Sequence, residues 1–89
     1  ISLTQVLPAL GLLLKPPARL LALVKPQFEV GPSGLDKGGL VNDPQLYEEV
    51  RARILRVLED LGFNVVEYFA CPVKGQDGNQ EFFVSAQRG

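Results

Sequence analysis

The sequence predicts an α/β domain with a mostly parallel sheet that ends in an antiparallel strand pair. Three observations carry this prediction. Residues 18–25 are apolar almost throughout and lie between two prolines, which is typical of a strand buried on both faces. Residues 43–62 have the apolar stripe of an amphipathic helix. The β-branched and aromatic segments 63–70 and 81–86 are joined by a turn-rich connection, which favours an antiparallel pair.

The composition limits the classes of protein that the chain can represent. Its 89 residues make one domain at most, and a hydrophobic fraction of 46% is ample for a core. A net charge of -1 argues against a free-standing nucleic-acid binder, which normally has a basic patch. The single cysteine, Cys71, excludes an intramolecular disulfide. With no histidine in the chain, we expect no metal site, and any proton chemistry must use Lys, Tyr, Asp or Glu.

The sequence also bears on location and completeness. No apolar run reaches the roughly 18 to 20 residues that span a bilayer, and residues 3–14 lack the flanking features of a signal peptide. We therefore expect a cytoplasmic protein with no membrane partner. The chain starts at Ile1 and contains no methionine, so we expect it to be a piece of a longer protein.

The first two elements are a helix over 2–14 and a strand over 18–25. Ser2, with Gln5 three positions later, fits a capping box at the helix start. Periodicity alone does not separate a buried strand from a short buried helix at 18–25, but the length of this segment favours a strand.

A glycine-rich segment and a long helix follow. Residues 31–42 contain four glycines and predict a long, mobile loop. Asp43 is the expected cap of the next helix, Pro44 its first residue, and Gly62 its end. The apolar stripe of this helix consists of Leu46, Tyr47, Val50, Ile54, Val57, Leu58 and Leu61.

Lys25, at the end of the predicted strand, is the first candidate for a site. Ligands of open α/β sheets bind beyond the carboxyl ends of parallel strands. Pro26 restricts Lys25 to an extended backbone, and Gln27 and Glu29 add polar groups just after it. Glu81, at the start of the last strand, is the second candidate. The ordinary alternative is that both residues only mark where a strand meets water.

Four segments carry a resemblance to a known family. ISLTQVLPAL, LVKPQFEVG, KGGLVNDPQLYEEV and GNQEFFV, in this order and at this spacing, resemble the C-terminal half of the hemolysin A/TlyA family. Its members carry an FtsJ-like methyltransferase domain, usually behind an S4 RNA-binding domain. The resemblance implies that residues 1–89 are the C-terminal portion of a Rossmann-like, S-adenosylmethionine-dependent methyltransferase. It also implies a ribose 2′-hydroxyl of ribosomal RNA as the substrate of the whole protein.

The same resemblance assigns candidate catalytic residues. FtsJ-like enzymes use a Lys-Asp-Lys-Glu tetrad, whose second lysine falls on Lys25 and whose glutamate falls on Glu81. The other two members and the glycine-rich cofactor loop would precede Ile1, so cofactor-binding residues stay unassigned and the chain alone is expected to be inactive. A lysine can act as base towards a ribose hydroxyl if burial or a neighbouring cation lowers its pKa. Cys71-Pro72 replaces the Ser-Pro of many relatives, which we expect to alter packing only.

Two alternatives and one further expectation remain. The chain could be a non-catalytic α/β interaction module, or the pore-former that the hemolysin name suggests. The absence of a spanning segment and of a cationic amphipathic helix argues against the pore-former. Without the preceding strands of a parallel sheet, strand 18–25 would have an open edge, so we expect this chain to self-associate as a dimer.

Overall fold

The computed structural model describes residues 2–89, so Ile1, where the resemblance begins, lies outside the described residues. The predicted order of elements is confirmed, with ends that differ by one or two residues. The elements are α1 (Leu3–Leu13), β1 (Ala18–Val24), α2 (Gln45–Asp60), β2 (Asn64–Ala70) and β3 (Phe82–Arg88), with 3₁₀ turns at Pro26–Phe28 and Pro32–Gly34.

The three strands form one sheet in the order β1-β3-β2. The predicted antiparallel pair of β2 and β3 is confirmed. The predicted mostly parallel sheet is not found among the described strands, because β3 also pairs antiparallel with β1. The connection after β2 reverses the chain and places β3 between the two earlier strands. β1 and β2 therefore run in the same direction without touching, one at each edge.

Both helices pack on one face of the sheet. The stripe predicted for α2 is confirmed at its centre, since Val50, Ile54 and Leu58 are buried. The core cluster consists of Leu7, Val24, Val50, Ile54, Leu58, Phe63, Val84 and Ala86. This one-sided layer leaves the opposite face of the sheet without a helix from residues 2–89.

The prediction that β1 is buried on both faces is wrong for this chain. Its side chains alternate, with Leu20 and Ala22 packed against the core and Leu21 and Leu23 exposed. Leu21 is 69% exposed. The reason is that α1 and α2 cover only one face of the sheet. The apolar side chains on the other face are therefore not covered by a helix from residues 2–89.

Of two further local predictions, one differs from the structure and one agrees with it. The capping box at Ser2 is wrong, because its side chain makes no cap hydrogen bond within α1. The segment 31–42 is a loop, as predicted, with a 3₁₀ turn at Pro32–Gly34 and hydrogen bonds within it, and its mobility stays a prediction. The Asp36 carboxylate accepts bonds from the backbone N–H groups of Gly38 and Leu40, and Leu35 forms a bridge with Val41.

Candidate functional site

The antiparallel pairing of β1 and β3 brings the two predicted site residues to one edge of the sheet. Val24 at the end of β1 lies opposite Phe82 at the start of β3. Lys25 is the next residue after β1 and Glu81 is the residue before β3, so both lie at the same edge. They line an open cleft of about 570 Å³. The complete lining is Lys25, Gln27, Phe28, Lys74, Gly75, Gln76, Asp77 and Glu81.

Lys25 is held at the mouth of this cleft. Its backbone is extended, with φ -109° and ψ 96°, as the following proline predicted. Pro26 is buried, which fixes the start of the 3₁₀ turn. The Nζ atom of Lys25 lies 5.7 Å from the centroid of the Phe28 ring, within the range of a cation–π contact. The lysine is therefore positioned by its backbone and by one aromatic neighbour.

Glu81 is buried and held from three directions. Its side chain accepts a hydrogen bond from the Gln27 amide, with 3.1 Å between Nε2 and Oε2. Its backbone carbonyl accepts one from the Cys71 N–H at 2.8 Å and one from the Gln80 amide at 2.8 Å. On the remaining side the carboxylate lies against Gly75. Because the buried carboxylate accepts this single hydrogen bond among the described residues, it has free lone pairs for a further partner.

Asn79 lies two residues before Glu81, in the GNQEFFV segment, and was assigned no role of its own from the sequence. Its Oδ1 atom accepts a hydrogen bond from the Val41 N–H at 3.0 Å, and its Nδ2 donates to the Gly39 carbonyl at 2.9 Å. The side chain thus ties the glycine-rich turn to the segment that leads into Glu81. The available signal was a polar residue between a glycine and a strand, which is common in turns and therefore not specific.

The charge of Asp77 is set by the same segment. The backbone N–H of Asn79 donates to its carboxylate at 3.0 Å. This bond, then the Asn79 side chain, and to a smaller extent the charge of Lys25, hold the pKa of Asp77 below its usual value. The cleft therefore has the Asp77 and Glu81 carboxyl groups in the same lining as Lys25 and Lys74.

Glu29, which the sequence placed near the site, has a different role. Its carboxylate accepts hydrogen bonds from the Ser2 hydroxyl at 2.6 Å, the Leu3 backbone N–H at 2.6 Å and the Thr4 hydroxyl at 3.1 Å. It caps α1 from outside the helix, at the end where the helix dipole favours negative charge. Its backbone carbonyl accepts a hydrogen bond from the Arg53 guanidinium at 2.7 Å. Glu29 therefore connects α1, the turn after β1 and α2.

A model of the FtsJ-like methyltransferase family matches residues 1–88. The chain belongs to the FtsJ-like methyltransferase family. The chain is 43% identical over 84 residues to the 16S/23S rRNA (cytidine-2'-O)-methyltransferase TlyA of Mycobacterium tuberculosis. The match covers 94% of this chain and 31% of that protein. It is 33% identical to Hemolysin A of Brachyspira hyodysenteriae, covering 92% of this chain and 34% of that protein.

A solved structure agrees with this assignment. The crystal structure of "a putative hemolysin from Lactococcus lactis" matches with a TM-score of 0.92 and 35% identity, covering all of this chain and 42% of that one. The resemblance found in the sequence is thereby confirmed. The chain spans about a third of the length of the two named relatives.

The described residues show neither a metal-binding cluster nor a helix that could span a membrane. Residues 2–89 contain no group of three or more His, Cys, Asp or Glu side chains that could hold a metal ion. In the same residues, no helix is both long enough and apolar enough to cross a membrane.

Proposed function

We propose that this chain is the C-terminal part of an S-adenosylmethionine-dependent methyltransferase that acts on a ribose 2′-hydroxyl of ribosomal RNA. In this proposal Lys25 and Glu81 are half of its Lys-Asp-Lys-Glu tetrad. The observation that carries the proposal is that these two residues, far apart in the sequence, line one cleft at the end of β1. The TlyA relative is by name an rRNA (cytidine-2'-O)-methyltransferase, which supports the choice of reaction and substrate.

The chemistry requires a base and a group that orients it. A ribose hydroxyl is a weak nucleophile, so a neutral lysine amine at position 25 would accept its proton as the oxygen attacks. Glu81 would orient the amine and the hydroxyl through its free lone pairs. S-adenosylmethionine, when bound, supplies an activated methyl group on a sulfonium. The anionic groups of the cleft, Asp77 and Glu81, suit a cationic sulfonium, whereas a glycine-rich cofactor loop is absent from this sequence.

The same cleft has the residue types that bind RNA. Lys74 supplies positive charge for phosphate, and Phe28 presents a ring that is 52% exposed in the same cleft. Exposed aromatic rings stack unpaired bases in many RNA-binding sites. Because the chain has a net charge of -1, most of the affinity for RNA must come from other parts of the protein, such as an S4 domain. We place this activity in the cytoplasm, where ribosomal RNA is located.

The uncovered side of the sheet supports a proposal about neighbouring segments. Leu21, Leu23, Val66 and Phe69 are exposed apolar side chains of β1 and β2. We propose that the remainder of the protein covers them and extends β1 into a Rossmann-like parallel sheet. The isolated chain should then self-associate as a dimer, because its free edge and apolar face favour pairing. Sedimentation velocity tests this expectation, and a clean monomer at high concentration would contradict it.

The direct test of the proposed function is Lys25→Ala in the full-length protein. Loss of a general base typically lowers the rate about 10²- to 10⁴-fold, with S-adenosylmethionine affinity close to that of the wild type. Lys25→Arg should not restore activity, because arginine stays protonated. The matched control is Lys15→Ala, since Lys15 is exposed and lies outside the cleft. The assay measures transfer of labelled methyl to ribosomal RNA.

The outcomes separate the candidate functions. A Lys25→Ala protein that keeps most of the wild-type rate would show that the lysine is only the end of a strand. A wild-type protein that transfers no methyl to any ribosomal RNA would instead favour the non-catalytic interaction module.

A further inference from the structure

We propose that Gln27 is a positioning residue for Glu81, and that the glycine at position 75 provides the space in which Glu81 is held. The inference rests on the proposed function, because it assigns to Gln27 a role in the same reaction. Neither residue belongs to the tetrad. Both act on the direction in which the Glu81 carboxylate faces.

The orientation of the Gln27 amide follows from its partner. An ionised carboxylate only accepts hydrogen bonds, so the amide must present its Nε2 to Glu81, at the observed 3.1 Å. The Gln27 side chain is only 8% exposed, and its Oε1 atom has no hydrogen-bond partner among the described residues. An unpartnered buried carbonyl is costly, and an apolar residue of the same size would avoid that cost. The bond to Glu81 is the interaction that only an amide or a similar donor supplies at this position.

The reason for glycine at position 75 is space and not backbone conformation. Gly75 is not among the glycines with positive φ, so alanine would be tolerated by the backbone. A Cβ atom at Gly75, however, would lie 2.9 Å from the Cδ atom of Glu81 and closer still to its carboxylate oxygen. Carbon atoms in ordinary contact lie farther apart, so the Glu81 side chain would have to move. Two independent features, one attractive and one steric, therefore fix the same carboxylate.

The first test compares three variants of Gln27 in the full-length methyltransferase. Gln27→Met keeps the size of the side chain and removes the donor, so kcat should fall about 10- to 100-fold, the range that corresponds to one hydrogen bond to a charged group. KM and cofactor affinity should stay within about twofold, because only the reacting groups are misplaced. Gln27→His places an N–H donor near the same point and should retain more activity than Gln27→Met. Gln27→Glu puts two carboxylates together and should retain the least.

The second test moves Glu81 without changing a polar group. Gly75→Ala should also lower kcat with little change in KM, and Gln27→Met combined with Gly75→Ala should lose less than the product of the two single losses. Gln45→Met is the matched control for the first substitution, because Gln45 is exposed at the start of α2. Gly38→Ala is the control for the second, because its nearest neighbour would be 3.4 Å away.

The results distinguish this inference from the proposed function. Equal activity of the Met, His and Glu variants, or wild-type kcat in both Gln27→Met and Gly75→Ala, would overturn the positioning role and leave the methyltransferase assignment intact. If thermal unfolding shows that Gln27→Met does not fold, Gly75→Ala alone decides the question. Wild-type protein without methyl transfer would overturn the proposed function itself, and the positioning role with it.

Discussion

Glu29 and Glu81 are two buried glutamates near the same end of the sheet, with opposite patterns of hydrogen bonding. They are 9% and 7% exposed, so burial does not distinguish them. The carboxylate of Glu29 accepts three hydrogen bonds from the first residues of α1. The carboxylate of Glu81 accepts one, from Gln27, and borders an open cleft. The comparison teaches that the three hydrogen bonds of the Glu29 carboxylate tie it to the fold, whereas the single bond to the Glu81 carboxylate leaves most of its lone pairs available to a ligand.

The largest effect on stability is expected from removal of the Glu29 carboxylate. Glu29→Ala removes three charge-assisted hydrogen bonds and the cap of α1, and should cost about 2–3 kcal/mol of unfolding free energy. Urea denaturation of the full-length protein measures this loss. Glu49→Ala is the matched control, since Glu49 is exposed on α2. An unchanged denaturation midpoint in Glu29→Ala would show that the cap contributes nothing to stability.

The smallest effect, and one of opposite sign, is expected at the buried hydroxyl of Tyr68. This hydroxyl has no hydrogen-bond partner among the described residues, and leaving it unpaired costs stability. Tyr68→Phe removes it and should raise the unfolding free energy by about 1 kcal/mol at neutral pH. This variant sharpens the comparison, because it shows that a buried polar group stabilises the fold only when it is hydrogen-bonded. Urea denaturation is again the measurement, and a lower denaturation midpoint in Tyr68→Phe would contradict the account.

The same residue predicts a difference at high pH. Burial is the main cause that raises the pKa of Tyr68 from 10.0 to about 12. The unfolded chain therefore ionises first, and the stability contributed by the neutral phenol is present below pH 10 and lost as the pH rises towards 12. Unfolding free energies are compared at about pH 8 and about pH 11, which lie below and above the ordinary tyrosine pKa. Tyr68→Phe should lose less stability than the wild type between these two conditions. Equal losses in the two proteins would contradict this prediction.

The sequence predicted the order of the elements better than it predicted the sheet, and the roles of Lys25 and Glu81 stay predictions. Lys25 and Glu81 were recognisable because each lies next to a strand terminus, and their meeting follows from the pairing of β1 with β3. The role of Glu29 was not predictable, because its partners are about 26 residues away on α1 and only packing brings them together. The apolar run of β1 indicated a covered strand but carried no information on which segments cover it. Local signals therefore predict elements and candidate residues, whereas the contacts of each side chain depend on tertiary packing.

The measurement that tests the central claim most directly compares Glu81→Gln with Glu29→Gln in the full-length protein. Both substitutions are close in size and remove one negative charge. We predict that Glu81→Gln lowers kcat by at least about tenfold, though less than Lys25→Ala, with a melting temperature within about 2 °C of the wild type. Glu29→Gln should lower the melting temperature and leave kcat per folded molecule unchanged. Wild-type kcat in Glu81→Gln, or the same pattern of losses in both variants, would contradict the distinction between the two carboxylates.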